Sequence, residues 1–450
     1  MYDIGIIGAG PAGYVAAERA GHMGMSVVLF DKRELGGVCL NEGCIPTKTL
    51  LYSAKQYDNA RHADKYGILC KEVSFDFAKI MARKDKVVRK LVGGVSLKMK
   101  NNKVEFVKAL AIIKTIKQGS VIIEADNKEF ECKNILICTG SEAAVPPIKG
   151  LEKDLILTNR EILKLKEIPK SLNIIGGGVI GIEFASFFST LGVKVSVFEM
   201  MDEILLGVDK ELSKMLREEL TKNNNIDFYL GATVTEIDKT AVIFEKDGQK
   251  QKVEAEKILV SVGRKVNVDG LGLEKLGVEY TSKGIKIDSQ CRTNIPNVYA
   301  AGDVTGFSLL AHTASREGEV VVNNIAGKKD TMRYNAIPAV VYTNPEISGV
   351  GLTEEEAQKK NIPVKVLKLP MAFAGRFIAE NEGKNGLAKI IVGEKHNEIL
   401  GVHMIGNPSS EIIYGAAMAI EMQMTVDNIK EIVFPHPTVS EIFKETVFEI

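Results

Sequence analysis

The residue types best suited to chemistry in this sequence are two cysteines, a lysine, a histidine and a glutamate. Cys39 and Cys44 stand in the stretch Gly36-Gly37-Val38-Cys39-Leu40-Asn41-Glu42-Gly43-Cys44-Ile45-Pro46-Thr47-Lys48. A regular helix would hold Cα atoms five residues apart beyond the roughly 4.4–6.8 Å that a disulfide spans, so a bridge here requires a distorted turn. Gly43 allows that distortion. A bridge across so few residues closes a small loop and stabilises little, which favours a redox role over a structural one. A metal site fits poorly, because no second cysteine or histidine pair lies nearby. Lys48 falls one helical turn beyond Cys44 on the same face, where its cation would sit beside a thiolate or a cofactor. His436 lies in His436-Pro437-Thr438-Val439-Ser440-Glu441. A lone histidine in such a turn is ordinarily structural or exposed. Glu441, near enough to orient an imidazole, and a cysteine pair in need of a base turn the reading toward proton transfer.

These residues must be positioned by the elements around them. Tyr2 to Gly8 is a short apolar run ending in Gly8-Ala9-Gly10-Pro11-Ala12-Gly13; an alanine-rich helical pattern follows to Met23, then a second apolar run from Ser26 to Phe30. This is strand, turn, helix, strand. The same unit returns with Leu172 to Ile175, Gly176-Gly177-Gly178-Val179-Ile180-Gly181, a helix to Leu191, and a strand ending in Glu199. In such a turn the first glycine permits the bend, the second lets backbone approach a pyrophosphate, and the third lets helix and strand pack closely. In each unit an acid, Asp31 or Glu199, follows 18 residues after the last glycine, placed to accept from ribose hydroxyls. After Glu199 the sequence Met200-Met201-Asp202-Glu203-Ile204-Leu205-Leu206 offers no cation for a 2′-phosphate, so the second site should prefer NAD to NADP. A basic residue reaching in from elsewhere is the alternative.

Between the units lie a charged helical stretch, 76–100, strands over 104–116 and 121–124, and Ile135-Leu136-Ile137-Cys138-Thr139-Gly140, a buried strand ending in glycine. Similar strand endings recur at Gly263 and at Ala301-Gly302-Asp303, where Asp303 could accept from ligand hydroxyls or merely cap a turn. After Asn335 the pattern becomes strand-like alternation with one helix, 410–423, and reads as a separate α+β domain. Cys70, Cys132, Cys138 and Cys291 are isolated and read as small buried hydrophobes, and His22, His62, His396 and His403 have no context that suggests a function. The chain has 450 residues, room for about three domains. Lysine plus arginine equals aspartate plus glutamate, 58 against 58, which argues against a nucleic-acid groove or an anionic membrane as the main partner. Met1-Tyr2-Asp3 runs straight into the first strand without a signal or transit pattern, and no apolar run is long enough to span a bilayer. A cytoplasmic, reducing location is the expectation.

Gly36 through Lys48 resembles the redox-active disulfide motif of the FAD-dependent pyridine nucleotide–disulfide oxidoreductases. Ala301-Gly302-Asp303 resembles their second flavin motif and His436 through Glu441 their C-terminal catalytic signature, so the landmarks cover essentially the whole chain. The resemblance implies an α/β fold: two Rossmann-like dinucleotide-binding domains, the NAD domain inserted in the FAD domain, plus a C-terminal α+β dimerisation domain. The expected segments are 1–147 for FAD, 148–266 for NAD, 267–332 for the return of the FAD domain, and 333–450 for the interface. FAD would be held at Gly8, Gly10, Pro11, Ala12, Gly13, Asp31, Lys32, Gly37, Val38, Cys39, Lys48, Thr139, Gly140, Asp303, Ala311 and His312, with Ala111 at the adenine end. NAD would be held at Gly176, Gly178, Val179, Ile180, Gly181, Glu183, Glu199, Val234 and Gly263. Lys48 would lie near the flavin, paired with Glu183, and His436 would face the disulfide of an opposite subunit, making a homodimer obligatory.

The resemblance further implies the branch of the family that oxidises protein-bound dihydrolipoyl groups with NAD+, serving lipoyl domains or a lipoyl carrier protein in 2-oxoacid dehydrogenase or glycine cleavage complexes. His436 would take a thiol proton, the thiolate would attack Cys39 of a Cys39–Cys44 disulfide, and Cys44 would carry the electron pair onward. No metal, nucleic acid or membrane enters this reading. A glutathione-type reductase usually needs a basic 2′-phosphate site, which Glu199 opposes. Mercuric-ion reduction normally adds a C-terminal cysteine pair where this sequence reads Val447-Phe448-Glu449-Ile450, and a soluble transhydrogenase would lack the paired cysteines. A non-catalytic flavoprotein would have no use for Cys39, Cys44, His436 and Glu441 together. Two positions depart from the family pattern: Phe434-Pro435 before His436, and Cys138 in place of an alanine before Thr139.

Overall fold

Short apolar runs bounded by glycine become strands buried on both faces, and two such sets organise the chain. The computed structural model describes residues 1–117, 119–151 and 156–450. Contacts divide them into two units, Met1–Thr49 with Met81–Ala144 and Gly263–Arg333, and Leu50–Ile80 with Val145–Val262 and Tyr334–Ile450.

The first unit holds a seven-stranded sheet in the order Glu105–Val107, Val27–Phe30, Tyr2–Ile7, Lys128–Ile137, Ser120–Ala125, Ala111–Lys117, with Val298–Ala300 also paired to Lys128–Ile137. The strands around Tyr2–Ile7 are parallel, and the last two join as an antiparallel meander. Ile4, Ile6, Val28, Leu29 and Phe30 are fully buried, each such side chain contributing roughly 1.5–3 kcal/mol. The expected helix forms as Pro11–His22, and its buried face is all small: Ala12, Gly13, Ala16, Ala17 and Ala20. That face lets the helix Ala311–Ile325 come close, to the point where a Cβ on Gly318 would stand 2.6 Å from the Ala12 carbonyl oxygen.

The second unit repeats the theme. Its parallel sheet runs Ile226–Leu230, Lys194–Glu199, Ser171–Ile175, Lys257–Val260, Ile156–Leu157, and the helix Val179–Thr190 follows the glycine turn. Phe198 stacks on Tyr229 with ring centroids 4.9 Å apart, and Phe244 closes that core. The C-terminal residues build a five-stranded antiparallel sheet, Ala339–Val341, Ile347–Gly351, Ile399–Ile405, Leu387–Gly393, Val364–Pro370, with its own apolar core. The single helix expected there is present as Ser409–Glu421, but four more accompany it: Glu354–Lys359, Gly375–Glu380, Val426–Glu431 and Glu441–Val447. Each is too short to leave a periodic pattern. Capping boxes at Thr353/Glu356 and Thr425/Asn428 were their readable signal.

A buried ion cluster ties the nucleotide sheet to the C-terminal sheet within this unit. Lys389 is 1% exposed and bonds Asp209 at 2.8 Å, Glu211 at 2.9 Å and Glu354 at 3.1 Å, with Asp209 itself fully buried. Asp209 also caps the helix Lys210–Asn224. Burial alone would push the Lys389 ammonium down, but the hydrogen bonds to Asp209 and Glu211 hold it above its usual range. Lys389→Met should therefore cost about 3–5 kcal/mol by stranding a buried carboxylate. Lys368→Met, at a residue 40% exposed that meets Glu211 at 2.7 Å, should cost under about 1 kcal/mol. Denaturant midpoints of the two holoproteins decide it; equal shifts would contradict a buried role for Lys389.

Candidate active site

The chain around the cysteines breaks where the spacing required. Cys39 sits in the helix Gly37–Glu42, Gly43 takes an irregular conformation (φ −145°, ψ −107°), and Cys44 opens the helix Cys44–Arg61. Both cysteines are half-buried thiols, and the Cys39 side chain hydrogen-bonds that of Cys44. That bond, burial and the charge of a Cys44 thiolate push the Cys39 thiol far up, with Lys48 opposing them. Cys39 thus holds its proton tightly. Cys44, at the first position of an 18-residue helix, is where the helix dipole favours the thiolate.

The loop that carries the cysteines is seated directly on the first glycine turn. The Gly36 N–H donates to the Ala9 carbonyl at 2.8 Å. Gly37, in the left-handed region at φ +59°, lies so close that a Cβ would be 2.5 Å from Gly10 Cα. In the turn itself a Cβ on Gly8 or Gly13 would strike backbone oxygens at 2.2 and 1.8 Å, whereas one on Gly10 would meet only Gly37 Cα at 3.9 Å. The helix starting at Pro11 has no side-chain cap, so its first N–H groups point into the cradle that Gly10 leaves open. Asp31 accepts from the Ala9 and Arg33 N–H groups, both at 2.8 Å. Pro11 and Ala12 belong to this turn, Lys32 and Val38 follow Asp31 and Gly37 in sequence, and Lys32 is exposed.

The second turn is built alike. A Cβ on Gly176 or Gly181 would lie 2.5 or 2.2 Å from a backbone oxygen, while one on Gly178 would meet nothing within 4 Å. Val179 and Ile180 begin its uncapped helix. Glu199 accepts from Gly177 N–H at 2.7 Å and Met201 N–H at 2.9 Å. The cations that follow Glu199 in sequence are engaged elsewhere, Lys210 with Asp202 at 3.3 Å, Lys214 with Glu218 at 3.9 Å and Arg217 with Glu203 at 2.8 Å. Both cradles therefore fit a dinucleotide: backbone donors, an open second glycine and a fixed acid.

Elsewhere in the first unit, Thr139 and Asn267 exchange bonds, Thr139 Oγ1 to the Asn267 carbonyl at 2.7 Å and Asn267 Nδ2 to the Thr139 carbonyl at 2.9 Å, beside Gly140 at φ +68°. Asp303 opens a short 3-10 turn, accepts from Ser141 Oγ and has Arg264 Nε at 3.7 Å. Ala311 is the first residue of the uncapped helix Ala311–Ile325, His312 is exposed beside it, and Ala111 is buried at the start of its strand. Ser141, Arg264, Asn267 and Glu317 were not foreseen. Glu317 is fully buried and accepts from Gly302 N–H at 2.5 Å. Its signal was an acid on the apolar stripe Thr313, Ala314, Gly318, Val321. Cys132, Cys138 and Cys291 are buried as expected, but Cys70 is exposed: it follows exposed Ile68 and Leu69 outside any strand or helix.

In the second unit, buried Glu183 accepts from the Tyr342 N–H at 3.0 Å, and Val234 lies on the strand Thr233–Asp238. Gly263 falls in the first unit, as does Lys48. His436 Nδ1 meets Glu441 Oε1 at 2.8 Å, and Glu441 Oε2 accepts from Thr438 N–H at 2.9 Å. Those two bonds hold the Glu441 carboxyl below its usual range. A carboxylate on Nδ1 fixes the tautomer with a bare Nε2, and the His436 side chain is 80% exposed.

A thiol pair seated on a dinucleotide cradle, with a second cradle and a carboxylate-oriented histidine, defines a dinucleotide-dependent dithiol–disulfide oxidoreductase. The sequence matches the pyridine nucleotide-disulphide oxidoreductase family over residues 2–318 and the dimerisation domain of that family over 337–447. A dihydrolipoyl dehydrogenase of Bacillus subtilis is 40% identical over 449 residues, covering 98% of this chain and 95% of the relative. That of Geobacillus stearothermophilus is 40% identical over 446 residues, covering 98% and 94%. Among solved structures, LpdA from Mycobacterium tuberculosis superposes with a TM-score of 0.92 at 25% identity over 99% of both chains. The HOCl-induced flavoprotein disulfide reductase RclA from Escherichia coli does so with 0.86 at 28% identity over 99% of both. The chain belongs to the pyridine nucleotide-disulphide oxidoreductase family, and the cofactors of that family are FAD and NAD(H).

The second turn separates packing from ligand approach. Gly181→Ala should destabilise the second unit severely, because its methyl has backbone on the far side, while Gly178→Ala should unfold at the wild-type midpoint. Thermal unfolding followed by circular dichroism compares them, and equal losses would contradict an open second glycine.

Proposed function

We propose that the protein oxidises protein-bound dihydrolipoyl groups to the lipoyl disulfide with NAD+, as the E3 component of 2-oxoacid dehydrogenase or glycine cleavage complexes. The observation that carries this reading is the Cys39–Cys44 thiol pair, hydrogen-bonded across the break at Gly43 and pressed on the Gly10 turn. Relatives at 40% identity over nearly the whole chain bear the name of that activity. The sites are those of the two turns: the first-unit residues from Gly8 to His312 hold FAD, and Gly176 through Glu199 with Val234 and Gly263 hold NAD. The functional segments are 1–147, 148–266, 267–332 and 333–450.

The oxidised pair is a Cys39–Cys44 disulfide. His436 Nε2 takes a proton from one dihydrolipoyl thiol while Glu441 holds the imidazole from Nδ1. The substrate thiolate attacks Cys39 Sγ, forming a mixed disulfide and expelling Cys44 as a thiolate on its helix N-terminus. The second substrate sulfur attacks the first, releasing the lipoyl disulfide and leaving Cys39 with a proton. Two electrons and two protons have left the substrate: the electrons rest on the Cys39 thiol and the Cys44 thiolate, one proton is on Cys39 and the other on His436 Nε2. FAD, when bound, accepts an electron pair from a thiolate and returns it as hydride to NAD+. Lys48 keeps a cation beside the thiolate.

His436 would act on the pair of a second copy, in a homodimer. The imidazole is 80% exposed within one chain. Its domain also presents Tyr414, Met418, Met422, Val433 and Phe448, each more than half exposed, a surface suited to burial by a partner.

The deciding assay is NADH formation from dihydrolipoamide and NAD+, with NADPH plus glutathione disulfide alongside. Turnover in the first alone is expected; turnover in the second alone would overturn both the substrate and the Glu199 reading. His436→Gln should lower dihydrolipoamide turnover on the order of 10²-fold or more and leave NADH-driven reduction of an artificial acceptor intact. Equal losses in both would remove His436 from the base role.

A further inference from the structure

The helix Phe77–Asn101 carries eight basic residues and one acid, Asp85, in a chain whose charges balance overall. Several of its cations are engaged: Lys84 with Asp85 at 2.8 Å, Lys98 with Glu18 at 3.1 Å, and Arg83 Nη1 with the Thr49 carbonyl at 3.0 Å. Lys86, Arg89, Lys90 and Lys100 are exposed and make no hydrogen bond or ion pair among the described residues. Their spacing, with Gly93 and Leu97, is i, i+3, i+4, i+7, i+11 and i+14, a single solvent-facing stripe opposite the buried Met81, Lys84, Val95 and Met99.

A stripe of this kind works against its own helix. Like charges at i, i+3 and i, i+4 repel, and the helix's one acid, Asp85 beside the stripe, is engaged by Lys84. Gly93 adds conformational cost in a helix interior, and its missing Cβ would have met nothing within 4 Å, so the packing of the chain does not require it. An external anion would relieve the repulsion, and bare backbone at Gly93 would let it come close.

Position identifies the anion. Arg83 pins this helix to Thr49, five residues along the helix that Cys44 opens. Lys86, Arg89 and Lys90 lie within two turns of Arg83. The stripe therefore begins within two helical turns, on each helix, of the redox pair. We propose that this face docks the acidic surface of the carrier domain that presents the dihydrolipoyl group, holding the carrier beside the thiols while its arm reaches them. The inference rests on the functional reading above and names its partner.

The test uses the FAD-loaded protein carrying Lys86→Glu, Arg89→Glu and Lys90→Glu, and a second form with all three changed to Ala. Substrates are free dihydrolipoamide and a reduced, lipoylated recombinant carrier domain of net negative charge. The glutamate form should raise KM for the carrier about tenfold or more and abolish its weakening by salt. The alanine form should lie between, and kcat and KM for free dihydrolipoamide should stay unchanged in both. An unchanged carrier KM sinks the docking face alone. A change of oligomeric state by light scattering, or loss of free-substrate activity, would assign the face to a second copy or to the fold and overturn the proposal. Wild-type inactivity toward free dihydrolipoamide would sink the functional reading and the docking with it.

Discussion

The contact of Gly37 with Gly10 is the constraint on which the site depends. With no side chain on either residue, the loop that carries the cysteines lies flat on the turn that would hold a pyrophosphate, and the Gly36 N–H to Ala9 bond locks it there. A single methyl at Gly37 would occupy the place of Gly10 Cα. Redox chemistry between a thiolate and a bound dinucleotide needs van der Waals closeness, and here it is secured by backbone rather than by side chains that could swing away.

The same economy governs both nucleotide turns. In each, two glycines are required because the chain packs on itself, and the middle one because something else must approach. The acids Asp31 and Glu199 do double service. Each spends its two oxygens on backbone N–H groups of the turn and the following loop, which holds the turn open at a fixed angle before any ribose arrives. Such preorganisation reduces the ordering that binding must supply.

Beyond its glycine turn, the second unit also relies on buried charge. Lys389, Asp209, Glu211 and Glu354 join the nucleotide sheet to the C-terminal sheet, whose domain carries His436 in a loop. Buried ion pairs contribute less to stability than to specificity of arrangement, and positioning is what a general base needs. The turn after Phe434 is held a second way, by Phe434 set edge-on to Phe443 and by Lys444, which bonds the Ile432 carbonyl at 2.6 Å. The departure of Phe434 from the family pattern thus has a packing role next to His436.

Much of this was legible in one dimension. Glycine spacing after a strand, an acid 18 residues on, cysteines five apart with a glycine between, and a histidine five before a glutamate are local patterns whose chemistry depends on neighbours in the chain. They sufficed for the fold class, for the two glycine turns ahead of their helices, for the break at Gly43 between Cys39 and Cys44, and for the His436–Glu441 bond. Tertiary structure alone decided which distant groups meet them. Ser141 at Asp303 and Asn267 at Thr139 come from segments more than a hundred residues away, Arg264 at Asp303 from a separate strand, and Glu317 at Gly302 from the buried face of a helix. The exposure of Cys70 and the short helices after Glu354 were likewise settled by packing. The reason is physical: a turn is specified by the φ, ψ and hydrogen bonds of adjacent residues, whereas the partner of a buried polar atom is whichever group the packed core delivers to it.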